Sequence, residues 1–193
     1  MTNLSNESNK TNKSGGYRSL IVYWLAVEIA DLTATFCARY IDKKSRTFDQ
    51  MIQAARSGKQ NIVEGSLEPS VESNLKLTGV ARASYGELLE DYKDFLRQKD
   101  FSIWSKDDPR VLEIRSHKTN ESNGFNKSNL THETYESYLF NREAFANLMI
   151  TLCFKQGYLL DRLLKAINNK FVKESGFREK LFKKRIDYKN RRF

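Results

Sequence analysis

Cysteine, histidine and proline are scarce in this sequence, with two of each in 193 residues. Cys37 and Cys153 lie far apart in apolar stretches, without the C-x-x-C spacing of zinc sites and in too small a number for a disulfide framework. We interpret them as small core residues of a protein in a reducing compartment, and we expect a cytoplasmic location. The low proline content and the long periodic stretches favour helices over a β sandwich.

The residue patterns of known catalytic and cofactor sites are also missing. The histidines, His117 and His132, fall outside the apolar stretches, so no Glu-x-x-His motif of a di-iron helical protein occurs. The sequence contains neither of two glycine-rich phosphate-binding patterns, G-x-x-x-x-G-K-[ST] and G-x-G-x-x-G, and no serine in G-x-S-x-G. Because the predicted helices contain no histidine, we expect their carboxylates to be surface charges and partners of Lys or Arg, and not metal ligands. We therefore predict a protein that is not an enzyme and binds no cofactor or metal.

Signals for export and for membrane insertion are lacking as well. Residues 1–16 are rich in Asn, Ser, Thr and Lys and contain no apolar signal core, so we predict a flexible leader. No uninterrupted run of about 18 apolar residues occurs, and we expect no membrane-spanning helix and no membrane partner.

Apolar residues recur at intervals of three and four in four stretches, which predicts four amphipathic helices. They cover about residues 18–40, 46–65, 69–97 and 139–171. Short connections between the first three helices indicate antiparallel neighbours. We therefore predict an all-α fold, an antiparallel up-down four-helix bundle over residues 17–171.

Two segments depart from this pattern. An insert at about residues 100–137 precedes the last helix; it includes a short helix that begins near Pro109 and an Asn- and Ser-rich stretch at 119–129. Residues 172–193 are predicted to be a separate basic C-terminal suffix, part of which docks as a short helix.

Glycine and proline predict several local features of the bundle. Gly65 suits a left-handed cap at the end of the second helix, and Pro69 suits the first turn of the third. Gly58 lies inside the second helix, where a close helix approach would explain its presence. A stripe of small residues, interpreted as the packing surface opposite Gly58, consists of Gly79, Ala83 and Gly86.

The second helix has a polar side next to its apolar face. Buried polar groups require hydrogen-bond partners, so we expect Asn61 and Glu64 to bond to a neighbouring helix, for instance to Arg82. A structural hydrogen-bond network is the favoured interpretation of this side, and a ligand site is the alternative.

The same segment resembles a family signature. It is similar to Q-x-x-R-A-x-S-x-x-x-N-I-x-E-G of the four-helix bundle proteins encoded in 23S ribosomal RNA intervening sequences. The run from Ala81 to Leu88 resembles the family's A-x-x-S-x-x-E-L. The basic C-terminal suffix resembles a longer subgroup, the four-helix bundle suffix domain proteins, while the insert departs from the short members. The resemblance rests on Gln53, Arg56 or its neighbours, Asn61, Ile62, Glu64 and Gly65 in the second helix, and on the run that includes Arg82 and Glu87 in the third.

This resemblance implies a role in binding and assembly. Related accessory proteins of diversity-generating retroelements form pentamers of bundles and bind RNA and a reverse transcriptase through basic surfaces. The resemblance therefore implies a homo-oligomer, with a pentamer favoured, and RNA, a reverse transcriptase or another protein as partner.

The formal net charge of +9 points in the same direction without the resemblance. A surplus of this size favours a polyanionic partner, which could be RNA, DNA or an anionic membrane surface, although solubility alone would also explain it. The resemblance makes RNA the preferred partner, with DNA as a possible one. In the suffix, Tyr188 and Phe193 are interleaved with cations and could stack on unpaired bases. An oligomeric protein-interaction scaffold that binds no nucleic acid is the alternative function. The predicted nucleic-acid contacts are Lys59, Lys76, Lys93, Arg97, Lys165, Lys170, Lys173, Arg178, Lys180, Lys183, Lys184, Arg185, Lys189, Arg191 and Arg192.

Overall fold

The structure, a computed structural model, describes residues 16–117, 119, 135–173 and 177–191. Within these residues the regular structure is entirely helical, so the predicted all-α class is confirmed. The predicted leader (apart from residue 16) and part of the predicted insert, including His132, lie outside the described residues. A short 3-10 helix, Tyr17–Ser19, comes first, and a helical turn at 135–139 precedes the longest helix. The helices are α1 Ile21–Tyr40, α2 Arg46–Leu67, α3 Val71–Gln98, α4 Pro109–Ser116, α5 Arg142–Lys173 and α6 Phe177–Asn190.

Four long helices share one core. α1 packs against α2 and α5, and α3 packs against the same two helices. The Phe36 ring lies at the centre, with its centroid 5.0 Å from that of Tyr92, 4.9 Å from Phe95 and 5.3 Å from Phe145. The Tyr92 hydroxyl is fully buried and donates a hydrogen bond of 3.0 Å to Thr33 Oγ1. Aromatic rings therefore form the centre of the core, and the buried Tyr92 hydroxyl has a hydrogen-bond partner.

Two local predictions at the junction of α2 and α3 are wrong. α2 continues past Gly65 to Leu67, so this glycine is not a helix cap. A Cβ atom at Gly65 would lie 3.2 Å from Asn74 Oδ1 and 3.3 Å from Leu77 Cβ, so the glycine permits a close approach of α3. Pro69 lies before α3, which begins at Val71 after the cap Ser70, whose side chain accepts from Ser73 N–H.

Gly58 does mark a close helix approach, but its neighbour is not the predicted stripe. A Cβ atom at Gly58 would lie 2.6 Å from the ring of Tyr85, a buried α3 residue. Gly79, by contrast, has open space around its Cβ position, and Ala83 is exposed. Within the described residues no atom comes within 4 Å of a Cβ built at Gly79, so this part of the stripe lies on the outer side of α3 and is not the packing surface opposite Gly58.

Alanine substitutions at the two glycines should have opposite effects. Gly58→Ala forces the methyl group into Tyr85 and should lower the free energy of unfolding by about 1–3 kcal/mol. Gly79→Ala adds a helix-favouring residue in open space and should raise it by about 0.5–1 kcal/mol. Urea denaturation of both variants measures these changes, and a loss of stability in Gly79→Ala would contradict the placement of the stripe.

The described part of the insert is tied to α5. The Asn147 amide donates to the carbonyl of Ser102 at 2.9 Å, and its oxygen accepts from Trp104 N–H at 2.8 Å. α4 begins as predicted, with Asp108 capping Arg110 N–H and Pro109 in the first position. The Arg110 guanidinium covers the Trp104 ring at 3.7 Å.

α1 is both long and strongly apolar. Its length and mean hydropathy would let it cross a membrane, which is also true of core helices and of signal sequences. In this structure one side of the helix, including Leu25, Ile29 and Leu32, is fully buried in the core. The expectations of a cytoplasmic location and of no membrane contact stay predictions.

Candidate nucleic-acid interface

The positive charge of the chain is concentrated at one end. Residues 162–193 contain twelve Lys and Arg against three Asp and Glu, whereas residues 1–161 contain 21 of each. The last 32 residues therefore carry the whole surplus of +9. These residues are the last 12 residues of α5 and the rest of the suffix, so any attraction to a polyanion is centred there.

The outer face of α5 carries a line of exposed aromatic, basic and amide side chains, which we call the α5 ridge. The opposite face of the helix is buried, with Leu152, Leu160 and Ile167 in the core. Phe154 is 48% exposed and Tyr158 is 62% exposed. Ridge members follow each other at intervals of three and four, so they lie on one side of the helix. They are Phe154, Tyr158, Arg162, Lys165, Asn169 and Lys173.

Cations lie next to both aromatic rings. The Arg162 guanidinium is 6.0 Å from the Tyr158 ring centroid, and the Lys93 ammonium of α3 is 5.4 Å from that of Phe154. These distances allow a cation–π attraction. Lys93 also pairs with Glu90 of its own helix at 2.7 Å. Aromatic faces and positive charge therefore occur together along the ridge.

Arg82 joins α3 to α5 beside the ridge. Its Nε donates to Asp161 Oδ1 at 2.9 Å, and its side chain passes over Gly157, where a Cβ atom would lie 3.2 Å from the Arg82 guanidinium carbon. The pair neutralises Asp161, the carboxylate next to Arg162. Because both partners are partly exposed, the pair itself contributes little stability.

This bond corrects the predicted polar network. Arg82 bonds to Asp161 and not to Asn61 or Glu64, and Glu64 is exposed. The Asn61 amide donates to the carbonyl and the hydroxyl of Ser57 in its own helix. The link across to α3 is the hydrogen bond of 3.2 Å between the Ser57 and Ser84 hydroxyls. The other polar motif residues, Gln53, Arg56 and Glu87, are exposed.

α6 extends the basic surface, and its described side chains are all exposed. Leu181 and Tyr188 lie on one side of the helix, and Phe182 and Ile186 lie on another, about 120° away by helix geometry. A helix that lies flat on a membrane has a single apolar face, which this arrangement does not provide. The exposed predicted contacts in α6 and just after it are Lys183, Lys184, Arg185, Lys189 and Arg191.

The structure brings together only some of the predicted contacts. Lys165 and Lys173 belong to the ridge, Lys93 borders it, and Lys170 is exposed on another side of α5. Lys59 is half-buried on α2, while Lys76 and Arg97 are exposed on α3, with Arg97 paired to Asp94 at 2.9 Å. The side chains of Arg178 and Lys180, together with Arg192, lie outside the described residues.

Sequence reasoning missed Phe154, Tyr158 and Arg162. The last helix was predicted from apolar residues that include Phe145, Leu148, Leu152 and Leu159. Phe154 and Tyr158 do not belong to that set. Aromatic residues four positions apart on the polar side of a helix were the signal that could have revealed the ridge.

A second group of ionisable side chains lies where the insert leaves and rejoins the core. Burial raises the pKa of Glu28 from 4.5 to about 7, opposed by the Lys155 ammonium and by a hydrogen bond with Tyr135. Lys155 donates to the carbonyl of His117, and burial lowers its pKa. The ring centroids of His117 and Tyr135 are 5.5 Å apart. His117 therefore contacts α5 through Lys155, and Tyr135 contacts α1 through Glu28, so the two residues that flank 118–134 lie together between these helices.

The Glu28 proton should make stability depend on pH. The folded protein holds this proton more tightly than the unfolded chain does, so this group's contribution is greatest below about pH 4.5 and is lost as pH rises to about 7. From pH 5 to pH 8, the unfolding free energy of the wild type should therefore fall by about 2–3 kcal/mol relative to that of Glu28→Gln. Urea denaturation at both values measures this difference. The exposed Glu136 provides the control variant Glu136→Gln, and an equal fall of the wild type relative to that variant would contradict the assignment.

Metal and thiol chemistry find little support in the described part of the chain. Its residues contain no group of three or more His, Cys, Asp and Glu side chains placed to hold a metal ion. Cys37 and Cys153 are free and buried, as predicted. Burial raises the pKa of Cys37 to about 12 and also raises that of Cys153, which disfavours reactive thiolates.

Comparisons with known proteins add no functional information. No protein-family model matches the chain, and neither the curated proteins nor the solved structures are significantly similar to it. The similarity to intervening-sequence proteins therefore stays a prediction that rests on the motifs in α2 and α3.

Proposed function

We propose that this protein is a non-enzymatic, oligomeric adaptor that binds nucleic acid, preferably RNA, through the outer face of α5 and through α6. The observation that supports this proposal best is the confinement of the entire charge surplus to residues 162–193. A chain that needed charge only for solubility would have no reason to collect it at the end of one helix and on one exposed helix.

The scaffold we propose for this adaptor is an antiparallel up-down four-helix bundle. Five residues connect α1 to α2 and three connect α2 to α3, and in each case the two helices pack against each other. Connections of this length favour antiparallel neighbours. In this arrangement α5 closes the bundle between α1 and α3 and turns its ridge to solvent.

Binding of this kind would be mainly electrostatic. Lys and Arg side chains that neutralise phosphates release counterions, so affinity falls steeply with salt and depends little on sequence. RNA is preferred to DNA in this proposal because of the resemblance to intervening-sequence and retroelement accessory proteins.

A protein-interaction scaffold is the second candidate function, and exposed apolar residues favour it. Leu67 is 66% exposed at the end of α2, and Val80 is 41% exposed beside Gly79 on α3. Leu181 of α6 lines an open groove together with Pro69 and Leu75. Apolar surface of this kind suits other copies of the chain, a pentamer by resemblance, or a reverse transcriptase or other protein partner.

A matched pair of triple variants tests the proposed site. Arg162→Gln/Lys165→Gln/Lys173→Gln removes ridge cations, and Lys43→Gln/Lys44→Gln/Lys106→Gln removes three exposed cations elsewhere, so both lower the net charge by three. In filter binding to a structured RNA at 0.1 M salt, the ridge variant should bind about 10- to 100-fold more weakly. It should also have a shallower salt dependence than the control variant.

Three results would contradict parts of this proposal. Equal losses in the two variants would mean that net charge and not the ridge determines binding. No RNA binding by the wild type at low salt, together with a stoichiometric protein partner, would favour the scaffold function. Light scattering of the protein without RNA tests the oligomer, and a monomer at micromolar concentration would contradict that part of the proposal.

A further inference from the structure

We infer that the α5 ridge is a stacking platform for unpaired nucleotides, in which Phe154 and Tyr158 each receive one base while the ridge cations hold the phosphates. This inference rests on the proposed function, because it specifies which form of nucleic acid the basic surface recognises. Its ligand is an unpaired strand of RNA or DNA.

Exposure of the two rings is the first argument. A helix that is buried on one face has no packing need for aromatic residues on the other, yet Phe154 and Tyr158 are 48% and 62% exposed there. Base–aromatic stacking is the established use of such rings on single-strand-binding surfaces. Both rings also lie beside cations, Lys93 and Arg162, which place positive charge next to the stacking positions.

Spacing along the helix is the second argument. Residues four apart on an α-helix are separated by about 6 Å along the axis, nearly twice the 3.4 Å between stacked bases of one strand in a duplex. Neighbouring rings would therefore accept successive bases only from an extended, unstacked strand.

The order of side chains along α5 is the third argument. From Phe154 to Lys173 the ridge covers about 28 Å of helix, with the rings at one end and the cations towards the other. A strand whose bases stack on the rings can continue its phosphates past Arg162, Lys165 and Lys173. A duplex hides the faces of its bases, so it can use only the cations.

The experiment compares unpaired and duplex ligands on the full chain. Fluorescence anisotropy is measured with a 12-nucleotide oligo(U), a 12-nucleotide oligo(dT) and a 12-base-pair RNA duplex. The test variant is Phe154→Ala/Tyr158→Ala. Phe140 and Leu112 are exposed apolar residues away from the ridge, so Phe140→Ala/Leu112→Ala is the matched control. Tyr158→Phe keeps a ring at the second position.

We expect the test variant to bind oligo(U) about 10- to 100-fold more weakly, with duplex affinity changed by less than about twofold. The control variant and Tyr158→Phe should bind like the wild type. If the test variant loses affinity equally for oligo(U) and oligo(dT), the ridge binds unpaired bases without regard to the sugar. If it loses affinity for one of them alone, that strand is the preferred ligand.

Three results would overturn the inference. The first is an unchanged affinity of the test variant for both oligo(U) and oligo(dT), and the second is a loss of duplex affinity equal to the loss for the unpaired strands. Either of these leaves the proposed function intact if the wild type binds RNA in a salt-dependent manner. The third, no binding of any ligand by the wild type, overturns the proposed function as well. Thermal unfolding of each variant verifies that the exposed substitutions leave the fold unchanged.

Discussion

Burial of one face of α5 is the constraint on which the rest of the molecule depends. Phe145 contacts the central ring of Phe36, and Leu152 and Leu160 are fully buried further along the same helix. Burying a side chain of this size contributes about 1.5–3 kcal/mol, so the rotation of α5 about its axis is strongly fixed. That rotation determines which residues remain in water, and it turns Phe154, Tyr158 and Arg162 outward.

Close contacts between helices maintain this arrangement. Because Gly58 has no side chain, the Tyr85 ring can pack directly against α2. Because Gly157 has none, the Arg82 side chain can pass over α5 and bond to Asp161. The first contact joins α2 to α3, and the second joins α3 to α5. The Arg82 bond also neutralises the carboxylate next to the ridge, so the structural link and the electrostatics of the proposed interface share one residue pair.

The fold class and the approximate helices could be predicted from the sequence, because apolar periodicity reports directly which face of a helix is buried. The start of α4 could be predicted too, since Asp108 and Pro109 are strong local signals. Gly65 and Pro69 do not have the local roles that glycine and proline usually have near helix ends. At Gly65 the neighbouring α3 matters more than the helix end, and at Pro69 the cap is provided by the following Ser70.

Prediction of the candidate site was less complete, for a physical reason. Charge is visible in a sequence, so Lys165, Lys173 and the basic suffix were identified. The partner of Arg82 and the outward direction of Phe154 and Tyr158 depend on tertiary packing, which a periodic pattern gives only to within a few tens of degrees. The stripe of Gly79, Ala83 and Gly86 illustrates the same limit, because helical spacing alone does not say whether a stripe faces the core or solvent.

Ultraviolet cross-linking of the full chain to an unpaired RNA, followed by peptide mapping, tests most directly where nucleic acid binds. The account predicts cross-links in peptides that contain Phe154, Tyr158 or the aromatic residues of α6. Cross-links confined to α2, α4 or the outer side of α3, or the absence of any cross-link at low salt, would contradict it.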